Sequence, residues 1–138
     1  MLLKDTLSHQ FIGALEIIRN YPKDLLTEIG ITYGNFITLI FIAENEGSTQ
    51  AQLAQIHKKD RNVIGRHIDV LEQKNYVERK RGIVDRRSYT LFLTDKGKEF
   101  ILNNENIIIK SEQHALKNLT NDEISTLYKL MNKITSDA

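Results

Sequence analysis

The chain has 138 residues, 41% of them hydrophobic and 27% charged, with a formal net charge of +1. That length suits one domain, and the balance is that of a globular protein, which excludes general disorder. A single proline (Pro22) excludes proline-rich and collagen-like classes, and the lack of cysteine excludes disulfides, thiolate metal sites and thiol-based oxidant sensing.

The N-terminus, Met1-Leu2-Leu3-Lys4-Asp5, meets a charge at once and has no signal-peptide core. Leu3, Leu7, Phe11, Leu15 and Ile18 then recur every three or four residues, which predicts an amphipathic helix ending near Tyr21-Pro22. A loop containing Gly30 and Thr32 is expected next. Phe36 to Ala43 is the longest apolar run. It is too short to span a bilayer, so it predicts a helix buried on nearly all sides. A cytoplasmic protein is the expectation. Gly47 can close that helix in a left-handed conformation.

Thr49-Gln50-Ala51-Gln52 has the form of a capping box, opening a short helix that buries Leu53, Ala54 and Ile56. Asp60 can cap the next helix, with Ile64, Ile68 and Leu71 inward and Arg61, Asn62, Gly65, Arg66 and Asp69 outward. Asn75 suits a left-handed cap. Val77–Arg81 and Tyr89–Leu93 read as two strands, with Gly82 to Ser88 as an extended hairpin tip. Thr94 caps a long helix expected from Asp95 to beyond Leu116. Thr120-Asn121-Asp122-Glu123 opens a last helix with Ile124, Leu127, Leu130, Met131 and Ile134 inward.

Charge is unevenly spread along this pattern. From His57 to Lys98 there are twelve basic and six acidic residues, a net of +6; the remainder carries −5. A basic centre between acidic ends points to a polyanionic partner. Two short helices, the second with a basic outward face, followed by a basic hairpin, make a helix-turn-helix with a wing. Such a helix fits the major groove of DNA. Arg61 and Arg66 can reach phosphates or guanine acceptors, and Asn62 can pair with adenine. Thr49 and Lys59 are placed to contact phosphate. Gly65 sacrifices ~1 kcal/mol of helix propensity against alanine, which implies a close approach by DNA or a neighbouring helix. His67 either touches phosphate or packs beside Arg66. Arg86 and Arg87 at a hairpin tip suit the electronegative minor groove, and Asp85 beside them is expected to orient one of them by a charge-assisted hydrogen bond.

The sequence resembles the MarR family of winged-helix transcription regulators over nearly its whole length. The resemblance rests on Leu53-Ala54, Arg66, Leu71-Glu72, Val77 and Arg79. Its strongest part is Asp85-Arg86-Arg87 with Leu91, Leu93-Thr94 and Gly97. It implies six helices and a two-stranded wing: a mainly α fold with a small antiparallel wing. One domain over 1–138 is expected, with a DNA-binding lobe at about 32–94 and dimerisation helices at about 1–21 and 95–138. It implies a homodimer on operator DNA, with Arg66 the helix contact, Arg87 the wing-tip contact and Asp85 its partner. Many such regulators respond to phenolic or lipophilic ligands, oxidants or metals. The family's ligand cavity opens near Tyr21, Tyr33 and Phe36, which makes a small lipophilic or phenolic effector a candidate partner. Asn75 stands where a glycine is usual, and Gly65 and His67 replace commoner residues, so the operator sequence is not inherited.

The terminal helices display more apolar residues than one small winged domain covers. Pairing them across a two-fold would bury them, and the bland alternative is that they close one chain's own core. His9, His57, His67 and His114 form no metal-binding spacing. No catalytic motif is present, so a non-enzyme without cofactor is expected. The leading expectation is a ligand-responsive repressor acting as a homodimer on a palindromic operator. A winged-helix protein-interaction module without operator binding is the alternative.

Overall fold

The structure, a computed structural model, describes residues 1–82 and 85–136. The chain divides into two compact units. One comprises Met1–Pro22 together with the segment from Ile107 on; the other is Lys23–Asn106.

The central unit holds most of the core. α2 (Lys23–Ile29) occupies a stretch expected to be loop. Proline is favoured where a helix begins, and Pro22 stands just before this one. Gly30, at φ +93°, ends it, with the Gly30 and Ile31 amides both donating to the Leu26 carbonyl. α3 (Tyr33–Glu44) starts at a capping box between Thr32 and Asn35 and buries Phe36, Leu39 and Ile42 completely. α4 (Gln50–Ile56) and α5 (Arg61–Gln73) follow, and both pack on their apolar faces. Ile56 is the exception to the expected inward set, being half exposed.

β1 (Val77–Arg81) pairs antiparallel with β2 (Tyr89–Leu93), in register from Val77 opposite Leu93 to Arg81 opposite Tyr89. Alternation puts Val77, Leu91 and Leu93 in the core and Glu78 and Lys80 outside. The segment before α4 lies along β2: Gly47 N donates to Leu91 O, Leu91 N donates to Ser48 O, and Thr49 bridges Thr90. α6 (Asp95–Asn104) is capped by Thr94 and closes this unit, with Phe100 edge-on to Phe36 and stacked on Tyr76. Gly97 packs against the Tyr76 carbonyl, where a Cβ would collide.

In the terminal unit, a 3-10 turn (Leu3–Asp5) precedes α1 (Leu7–Asn20), whose cap is Thr6. The helix therefore begins later than the apolar spacing predicts. The single long helix expected after Thr94 is divided at Glu105 into α6 and α7 (Asn106–Ala115). With α2, that division gives, among the described residues, two more α-helices than the family resemblance implies. α8 (Asn121–Thr135) opens at its expected capping box. Its apolar face is not inward within one chain, however. Neither α1 nor α8 buries a residue, and Leu127, Leu130 and Ile134 are exposed. Among the described residues no single helix is long and apolar enough to cross a membrane.

Candidate nucleic-acid interface

α4 and α5 are set by two caps and a strained turn. Thr49 Oγ1 accepts from Gln52 N at 3.1 Å, and Gln52 Oε1 accepts from Thr49 N at 2.8 Å. Leu53 and Ala54 seat α4 against the core. The chain then turns through Lys58 at φ +51°, a left-handed conformation uncommon for a residue with a side chain. Asp60 Oδ1 accepts from Asn62 N at 2.7 Å and Val63 N at 3.3 Å, starting α5. Ile64, Ile68 and Leu71 face the core, so helical geometry turns Arg61, Asn62 and Arg66 to solvent. Lys59 is exposed at the end of the turn. Cations and an amide thus line the outer face of a helix of groove-fitting size.

The wing is tied to this helix. Arg79 on β1 donates to Asp69 at 2.8 Å and to Glu72 at 3.0 Å, both on α5. Asp69 lies three residues after Arg66, on the same side of the helix. At the tip, Arg87 N donates to Asp85 Oδ1 at 3.0 Å, and Arg87 Nε stands 3.5 Å from the same oxygen. Asp85 therefore orders the tip and steadies Arg87, whose side chain stays 95% exposed. Ser88 donates its hydroxyl to Asp85 O, and Gly82 N donates to Ser88 O. Arg86 is exposed beside them. Ile83 and Val84, part of the expected hairpin tip, lie outside the described residues.

Three site candidates make packing contacts within the lobe, a role the sequence reading left open for Gly65 and His67. Gly65 seats the Gln50 side chain, whose amide donates to Arg61 O at 3.0 Å; the close approach is by α4. His67 turns towards α3, with Nδ1 2.8 Å from the Thr38 hydroxyl and its ring against Gly34. Phe36 is fully buried in the lobe core. Of the other two aromatic candidates, Tyr33 is half-buried at the first position of α3. Tyr21 belongs to the terminal unit, stacked on His114 with centroids 4.6 Å apart. Among the described residues no group of three or more His, Asp or Glu is placed to hold a metal ion.

Sequence reasoning missed Gln50 and the bracing role of Arg79. The Asp69 and Glu72 spacing was a usable signal for the second: two carboxylates one turn apart on an otherwise basic helix face require a cation from elsewhere.

The profile of the MarR family matches residues 29–88. The chain is 30% identical to the HTH-type transcriptional regulator SarZ of Staphylococcus epidermidis, over 92% of this chain and 84% of that protein. It is 32% identical to the HTH-type transcriptional regulator YybA of Bacillus subtilis, over 88% and 79% respectively. Among solved structures, the regulator SlyA superposes with a TM-score of 0.82 at 25% identity, covering 95% of this chain and 92% of that one. A mutant of MarR from E. coli, solved in complex with operator DNA, superposes with a TM-score of 0.85 at 24% identity, covering 98% and 99%. The mainly helical fold with one two-stranded antiparallel sheet agrees with these structures. The chain belongs to the MarR family of winged-helix, DNA-binding transcriptional regulators.

Proposed function

We propose that this chain acts in the cytoplasm as a homodimeric repressor that binds a palindromic operator. In this reading α5 enters the major groove and the wing tip the adjacent minor groove. The observation that carries it is the exposed set Arg61, Asn62 and Arg66, braced through Asp69 and Arg79 to the wing that presents Arg87. That a protein of the same fold, the E. coli MarR variant, was solved in complex with operator DNA supports an operator as the partner. Thr49 and Lys59 supply phosphate contacts around the reading helix, and Arg86 joins Arg87 at the minor groove. A small effector acts by binding the DNA-incompetent spacing of the two lobes more tightly, which shifts the population off the operator.

Selection of bound fragments from random duplex DNA tests the reading. The expected product is an inverted repeat with half-sites about one helical turn apart, or a multiple of it. Affinity for it falls steeply with salt, and Arg66→Ala or Arg87→Ala each weakens binding by ~1–3 kcal/mol. Binding that ignores salt, or that survives both substitutions intact, would overturn it.

A further inference from the structure

Arg79 and Arg81 share one face of β1, because alternate strand residues do. Their charges are handled in opposite ways. Arg79 is neutralised by Asp69 and Glu72. On the other face Lys80 pairs with Glu78 at 3.4 Å and lies over the Phe92 ring. Arg81 is in none of the ion pairs among the described residues. Its partner is neutral: the guanidinium donates from Nη2 to the Tyr89 hydroxyl at 3.1 Å, with its carbon 5.7 Å from the Tyr89 ring centroid. The register sets the two residues directly opposite, on the last rung before the wing tip. Both are exposed.

A guanidinium has donors only, so the phenol oxygen must be the acceptor in this bond. Tyr89 keeps its own O–H to donate. The pair therefore offers a third group the remaining guanidinium N–H bonds and one hydroxyl proton, all donors, around a full positive charge. The ligand that matches is an anion with several acceptor oxygens, and a phosphodiester is one. Tyr89 holds the guanidinium in place beforehand, which lowers the entropy lost on binding. The pair is also well placed. The Arg79–Asp69 bond ties this wing face to the side of α5 that carries Arg66, and Arg81 is two residues further towards Arg87.

We infer that Arg81 and Tyr89 form a phosphate clamp on the wing, gripping the DNA backbone between the groove read by α5 and the groove entered by the tip. This rests on the DNA-binding reading above and adds to it a contact that does not discriminate sequence.

The test is equilibrium binding of the full chain to the selected operator and to a random duplex across a salt series. Arg81→Ala should weaken both by the same factor, about 3–10-fold, and reduce the slope of log affinity against log salt by about one. Tyr89→Phe keeps the ring beneath the guanidinium and removes the hydroxyl. It should weaken both by about 2–3-fold with the slope unchanged. Arg81→Ala with unchanged affinity and slope, beside an Arg66→Ala variant that loses binding, overturns the clamp and leaves the DNA-binding reading standing. A loss confined to the selected operator makes Arg81 a base reader and overturns the clamp. A fall in melting temperature that tracks the lost affinity makes the pair a brace of the wing and likewise overturns the clamp. Failure of the unmodified chain to bind any duplex removes both proposals.

Discussion

The His57 ring lies flat on Phe41, with 2° between the planes, and its Nε2 is buried without a hydrogen-bond partner among the described residues. Burial strips water from the cation and pushes the His57 pKa below 6.5; Glu44 pulls it up and Lys59 pushes it down further. The folded state thus prefers the neutral ring. Stability from this group is complete above pH 6.5, declines as the pH falls through 6.5 towards the lowered value, and then levels off. Denaturant unfolding at a series of pH values should show that decline, and His57→Phe should flatten it. Equal pH dependence in the two proteins would refute the assignment. Gly97 makes a second residue-scale case. Its missing Cβ leaves room for the Tyr76 carbonyl, which also accepts from Thr94 N at 3.0 Å. Backbone cannot swing aside as a side chain can, so Gly97→Ala should cost about 1–3 kcal/mol in thermal or denaturant unfolding, where a gain would contradict the packing. Gly65 is the contrast, since the atom nearest its absent Cβ is the movable end of Gln50. That a neighbour came close to Gly65 was legible from the sequence. That it was a side chain of α4 was not, because the contact joins residues fifteen apart across a turn whose geometry depends on Lys58.

Element boundaries divide along the same line. Four elements that open with their own chemical signal were legible: α4 at Thr49, α5 at Asp60, α6 at Thr94 and α8 at Thr120 all begin where a side-chain oxygen can cap them, whereas the equivalent caps of α1 at Thr6 and α3 at Thr32 were not read. Asn75 takes the left-handed conformation that its position demands, at φ +63°. α2 was missed because seven residues are too few to show a stripe, although Pro22 marked its start. The division between α6 and α7 was missed for a subtler reason. Glu105 keeps helical dihedrals (φ −60°, ψ −27°), so nothing in its residue type announces a break. Coupling between elements is less legible still, and Arg79 is the example. Its bonds to Asp69 and Glu72 are partly exposed and hold the wing to α5 at a modest stability gain of about 1 kcal/mol. In the proposed DNA-binding reading their larger effect would fall on operator binding, because an unbraced wing must lose orientational freedom when it docks. Arg79→Met should therefore lower the unfolding midpoint by only a few degrees and weaken operator binding several-fold. Equal losses in stability and binding would mean that Arg79 acts through folding alone.

At the scale of the whole molecule, the chain separates two tasks by charge and polarity. The basic segment from His57 to Lys98 belongs to the central unit; the terminal unit carries an apolar surface that a single chain leaves open. Leu7 is 72% exposed, and Leu130 and Ile134 on α8 are 50% and 56% exposed. Burying such side chains is worth roughly 1.5–3 kcal/mol each, so the proposed homodimer, if it pairs these helices across a two-fold, would gain by covering them. Charges placed on that face should divide the two tasks. The double variant Leu130→Glu, Ile134→Glu introduces carboxylates where the partner's apolar face would lie, and sedimentation at micromolar concentration should find it monomeric and still folded. Its DNA binding then reports how the two lobes share the load. The dependence of affinity on salt counts the phosphates neutralised, so a monomer that keeps one lobe should show about half the slope of the parent protein. A dimeric double variant would move the interface elsewhere. A monomer with the full slope would mean that one lobe already makes every phosphate contact, and the palindrome would lose its physical basis.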